Sequence, residues 1–159
     1  MRTFLLIILV SVIILAVANL LGIVPSFCAI LGSLIALYTL IAVLTVTISI
    51  ALYNHIDTII KDIPEELKEE RKESYDIAID SLAFLKKESI ANIPLAIVIL
   101  VVYFLVTNSE VFACSSNILA ANFNLLVTLI TSTFFIYIIS DLIKAFLTAS
   151  EYRSIIKKG

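Results

Sequence analysis

Few side chains in this sequence are of a type that does chemistry, and their spacing limits what they could do. His55 is the only histidine in the 159 residues. A lone imidazole with no cluster of Cys, Asp or Glu at ligand spacing makes no metal site. Asp141 and Lys144, three apart, could pair along one helix face. Cys28 and Cys114 are the two cysteines, and a disulfide between them would need an oxidising compartment. No nucleophile–base pair, phosphate loop or dinucleotide fingerprint is visible. The sequence therefore predicts no enzyme, no cofactor and no metal.

What remains is a set of small and polar side chains inside long apolar runs. Asn124, Thr128, Thr131 and Ser132 fall on one helical face, extended by Ala120 and Ala121. Cys28, Gly32 and Ala36 recur every four residues, flanked by Ala29 and Ser33. A small-xxx-small face lets helix backbones approach closely in lipid, where no hydrophobic force separates helix from acyl chain. Hydroxyl and amide groups on the other face can bond across helices, or solvate a path, but offer no charged ring to select ions.

The elements that carry these groups follow from where charge is missing. Apolar residues make up 61% of the chain and charged residues 15%, with a mean hydropathy of +1.11. A soluble domain averages about 45–50% apolar and about 25% charged. With 3 Gly, 3 Pro and 2 Cys, collagen-like and disulfide-scaffold classes fail. The net charge of −2 gives no basic face for nucleic acid. A membrane protein is what remains.

Between Arg2 and Asp57 there is no charged residue, and Ser89–Ser109 and Val111–Ser140 are two further uncharged runs. A crossing needs about 20 apolar residues. The first run holds two, separated by Gly22-Ile23-Val24-Pro25-Ser26, where a glycine can end one helix and a proline and serine start another. The expected spans are about 3–22, 27–54, 91–108 and 118–147, in one all-α membrane domain covering 1–159. The fold class is a four-transmembrane-helix bundle with a charged helical cytoplasmic segment, about 57–90, between its second and third helices. A cleavable signal peptide ending at Ala16-Val17-Ala18 is a rival reading of the first span, but the apolar run continues through it into Leu20-Leu21.

In this four-span path all 11 Lys and Arg residues fall on one side. The positive-inside rule then places both termini and the intervening segment in the cytoplasm of a plasma membrane. Residues 57–88 hold ten acidic and six basic side chains. Asp62-Ile63-Pro64-Glu65-Glu66 reads as a helix start, with acids at the positive dipole end. Glu65–Lys68 and Glu69–Lys72 stand at pairing distance along it. From Tyr75 an apolar stripe of Ala78, Ile79, Leu82 and Leu85 suits packing on the membrane surface, on the second helix or on a partner.

Two functions fit. The first is a non-enzymatic membrane protein acting through helix–helix contact as an accessory, inhibitory or immunity-type subunit, its partners being the bilayer and another membrane protein or itself. The second is a homo-oligomeric channel or membrane-permeabilising effector whose fourth helix lines the path. A solute transporter would show inverted repeats or broken helices, and only Pro94 hints at one. The motifs carry no family resemblance.

Overall fold

The computed structural model describes residues 2–63, 72–109 and 117–158; the side chains of Arg2, Phe4, Glu73 and Ser74 and of residues 25–29, 31–33 and 155–158 lie outside the description. Four helices run through the described residues: α1 (Arg2–Leu20), α2 (Val24–Lys61), α3 (Lys72–Thr107) and α4 (Ile118–Lys158). α2, α3 and α4 are long and apolar enough to cross a membrane, and α1 contributes a shorter apolar stretch, Leu5–Leu20. At about 1.5 Å per residue, the 38, 36 and 41 residues of α2, α3 and α4 each exceed a hydrocarbon core of about 30 Å.

The helix ends are set by local chemistry. Gly22 takes the left-handed conformation, φ +67°, just past α1. Ile23 N–H reaches Ala18 O at 3.2 Å and Gly22 N–H reaches Asn19 O at 3.1 Å, which is the paired bonding of a Schellman cap. Pro25 then falls in the first turn of α2, where it forfeits no helical bond. α4 opens on Asn117, whose Oδ1 accepts from Ala120 N–H at 2.7 Å.

Three helices extend past their expected boundaries. The sequence ends the second at about 54, but α2 continues to Lys61, with Ile56 and Ile59 keeping its buried face going. The sequence places the third at about 91–108, but α3 begins at Lys72 and runs through Pro94 without a break. The stripe from Tyr75 and Leu82 continues in step into Ser89, Asn92, Ala96 and Tyr103, so one face stays inward along the helix. Pro94 is exposed on the opposite side and removes only one backbone bond. The sequence ends the fourth helix near 147, but α4 continues to Lys158 because Ala145 and Ala149 keep its buried face going. The expected helix start at 64–66 and the pairs Glu65–Lys68 and Glu69–Lys72 involve residues outside the description.

Buried positions repeat in steps of three and four. On α2 they are Tyr38, Ala42, Thr45, Ser49, Leu52, Ile56 and Ile59. On α4 they include Ala121, Asn124, Thr128, Thr131, Phe135, Ile138, Leu142, Ala145 and Ala149, with Ala120, Leu125 and Phe134 buried beside them. An average step of about 3.5 is the seam of a left-handed helix pair. The seam is not the most apolar face. Ser11, Thr45, Ser49, Asn124, Thr128 and Thr131 are buried, while Leu5, Leu6, Leu9, Leu40, Val43, Phe104 and Leu105 are exposed. Small and polar side chains inside with large aliphatic ones outside is the arrangement expected where the surroundings are lipid.

The chain divides into two compact units. One comprises Met1–Val43 and Ala96–Tyr137, the other Leu44–Leu95 and Ile138–Gly159.

Candidate functional site

In the first unit the centre is Tyr38 of α2. Its hydroxyl bonds Ser132 Oγ of α4 and lies 3.4 Å from Thr128 O. Ser132 Oγ donates to Thr128 O at 2.9 Å, so the proton shared between Tyr38 and Ser132 belongs to the tyrosine. Tyr103 of α3 meets the Tyr38 ring edge-on at 4.7 Å, and Phe135 stacks on it at 5.8 Å. Tyr103 is fully buried and bonds the Thr128 side chain. Edge-to-face and stacked rings at these distances contribute about 0.5–1.5 kcal/mol beyond area burial. A second cluster of Ala18, Val24, Ala121 and Leu125, with Leu15 and Leu129 against it, packs the α1–α2 turn onto α4. A shallow apolar groove of about 510 Å³ lies beside it, lined by Leu15, Asn117, Leu119, Ala120, Asn122, Phe123 and Leu126.

The candidate helix-packing residues separate in this frame. Asn124, Thr128 and Thr131 are buried on α4, and Ser132 is half-buried. Their hydroxyl partners lie within the protomer: Thr128 Oγ1 donates to Asn124 O at 2.8 Å, and Ser132 meets Tyr38. On α2, Ser132 bonds Tyr38, and Ala36 is exposed. Cys28 and Gly32 belong to α2, but their side chains lie outside the description, as does all of Cys114, so the expected disulfide falls there too. Tyr38 itself escapes the sequence reading. Its signal is present in the three–four spacing that links it to Ala42, Thr45 and Ser49.

The second unit carries the charge. Asp57 of α2 binds Lys61 at 2.7 Å and Lys86 of α3 at 2.5 Å, and Lys86 Nζ stands 4.2 Å over the Tyr53 ring. The three charged groups lie beyond the expected crossing segments 27–54 and 91–108, with Tyr53 at the edge of the first. The hydrogen bonds from Lys61 and then Lys86 hold the Asp57 carboxyl down to about 2, and Asp57 in turn raises Lys86. One stretch further along α3, Asn92 Nδ2 donates to Asp141 Oδ2 at 3.1 Å. Partial burial, and then the charge of Asp141, push the Glu88 carboxyl above its ordinary value. Among the described residues no ion pair joins Asp141 to Lys144, which is exposed. Asp141 is held across helices by an amide instead of along its own helix by a cation. His55 stacks with Phe146 at 5.7 Å.

Around these contacts the aliphatic core is tight: Ile56, Ile59, Leu82 and Ile138 are almost completely buried. Among the described residues no group of three His, Cys, Asp or Glu stands together for a metal ion. Comparison with known proteins returns no matching family model, no matching curated protein and no matching solved structure. The functional reading therefore rests on the residues of this chain alone.

Proposed function

We propose that the chain is a four-span integral membrane protein with both termini cytoplasmic. It acts without catalysis, through helix–helix contact with another membrane protein, as an accessory, inhibitory or immunity-type subunit. The observation that carries this reading is the fate of the polar face on α4. Asn124, Thr128 and Thr131 are buried, Thr128 donates to Asn124 O and Ser132 is bound to Tyr38, so that face is turned inward within one protomer. The surface left over is rich in large apolar side chains, such as Leu37, Leu40, Val43 and Leu44 on α2 and Val101, Val102, Phe104 and Leu105 on α3. Such a surface suits lipid or the apolar flank of another helix, and it offers no wetted path.

The orientation is supported by charge. All 11 Lys and Arg residues fall on one side of the four-span path. α1, with 19 residues and about 28 Å of rise, is just long enough to be the first crossing. Cross-linking in native membranes followed by purification in mild detergent tests the function. A second polypeptide at fixed stoichiometry is expected. The protein recovered alone at every expression level, or ion conductance from the purified protein in liposomes, would replace this reading with the pore.

A further inference from the structure

Ahead of its expected crossing, α3 presents two different apolar faces. Leu82 and Ser89 are buried, Ile79 and Leu85 are half-buried beside them, and Lys86 reaches Asp57 of α2 from the same side. That face is occupied within the second unit. Ile77 and Phe84 lie on the opposite side and are 58% and 60% exposed. Ala91, at the same interval of seven, is exposed as well. A seven-residue repeat keeps its positions on one line against a helix that winds left-handedly beside it.

On the four-span path, lipid does not cover this line. Lys72–Glu88 carries seven charged side chains in seventeen residues, which keeps the stretch out of the hydrocarbon. α3 is unbroken from Lys72 to Thr107, so the stretch continues the direction of the crossing that follows it. Measured along the helix from Ile90, Phe84 stands about 9 Å away and Ile77 about 20 Å. At the usual tilt of about 20°, both are carried off the membrane surface into water. Large apolar side chains aligned on one exposed face there are characteristic of an interaction surface.

The charge along the line narrows what fits it. Asp76 and Asp80 are exposed and Glu88 is half-buried, against Lys87 alone on this side. Among the described residues, neither Asp76 nor Asp80 is in an ion pair. The chain's own 64–71 segment has four Glu against Lys68 and Arg71, so it would bring like charge. A membrane protein lying beside α3 presents at this level the cytoplasmic flank of its own span. Such flanks carry an excess of Lys and Arg. Acids at that height draw a basic flank in and reject an acidic one.

We propose that Ile77, Phe84 and Ala91, with Asp80 and Glu88 among them, dock the Lys- and Arg-bearing cytoplasmic flank of a transmembrane helix in the partner protein. This docking line rests on the partner-binding reading and extends that contact into the cytoplasm.

The test places a photoreactive phenylalanine analogue at Phe84 of the full-length protein and irradiates native membranes. The same analogue at exposed Leu147 of α4 is the comparison. Position 84 should give one product, cross-linked within about twenty residues of the end of a transmembrane segment, at a stretch bearing Lys or Arg. Position 147 should not give it. Phe84→Glu should lower recovery of that partner about tenfold or more, and Asp80→Lys about three- to tenfold. Changing the facing Lys or Arg of the partner to Glu should restore binding to Asp80→Lys. If a variant fails to fold, the cross-link from position 84 decides. A partner that co-purifies undiminished with Phe84→Glu, or that position 84 does not reach or reaches elsewhere, overturns docking on α3 and leaves the partner-binding reading intact. Cross-links from position 84 to lipid, to a second copy or within the chain itself overturn it as well. Absence of any partner from the unaltered protein removes the partner-binding reading, and this docking line with it.

Discussion

The two units of the chain solve the packing problem with different materials. The first fills its interior with rings and hydroxyls: Tyr38, Tyr103 and Phe135 in contact, with Thr128 and Ser132 bonded to the tyrosines. The second packs aliphatic Ile56, Ile59 and Leu82 alongside buried Thr45, Ser49, Ser89 and Asn92, with ion pairs around Asp57 at its rim. On the proposed four-span path, the difference in rings and ion pairs follows from solvent. Where lipid surrounds a helix, moving a leucine from outside to inside gains little, so fit and hydrogen bonds decide the face. Where water reaches the helix, burying aliphatic area dominates, at about 25 cal/mol per Å².

Leu82→Ala breaks that contrast most severely. Leu82 is completely buried, and its truncation should cost about 2–5 kcal/mol by lost burial and a residual cavity. Denaturant titration in nanodiscs, followed by circular dichroism, checks this; a cost below that of Tyr38→Phe would place the same solvent around both units. Gly22→Ala comes next. No atom lies within 4 Å of a Cβ built there, so the whole penalty is the left-handed φ, about 1–2 kcal/mol. The same titration reads it.

Tyr38→Phe isolates the hydrogen bond of the first unit. It keeps the ring contacts and removes the hydroxyl that meets Ser132, which in a membrane is worth about 0.6 kcal/mol and at most about 1.7. A double-mutant cycle with Ser132→Ala should return a coupling of that size, and zero coupling would show that shape alone positions α2 on α4.

The smallest effect is expected at Asp57, whose pairs with Lys61 and Lys86 are reached by solvent and screened by salt. Its carboxyl is lowered from 3.8 to about 2 in the fold. The folded state therefore binds that proton less readily than the unfolded chain does. The contribution is complete above the unfolded value and is lost as pH falls through about 2. Asp57→Asn should leave stability flat at neutral pH in high salt and remove the acid-side decline between those two values.

Much of this is legible in the residues. The Gly22 cap and the restart at Pro25 follow from backbone chemistry that no neighbour can override. The length of α3 is harder to read, because Pro94 and the charge change near Ser89 both resemble a boundary. Only the inward stripe running from Leu82 to Tyr103 shows that neither stops the helix. The polar line on α4 is visible as a line, but sequence alone does not show what it faces. Tyr38 is an aromatic in an apolar run, and its role depends on Ser132, 94 positions away. Spacing pairs Asp141 with Lys144, whereas its partner comes from another helix. Contacts between helices far apart in sequence leave no periodic trace, and those are the ones that sequence reading misses.

The function turns on whether the polar groups of α4 are used inside one protomer and the apolar exterior meets a different protein. Native mass spectrometry of the protein extracted from its own membrane with its surrounding lipid addresses that directly. One 17.5 kDa chain bound to a second, different polypeptide is the predicted result. A ring of identical chains would contradict it, by placing α4 around an axis and making the protein a pore.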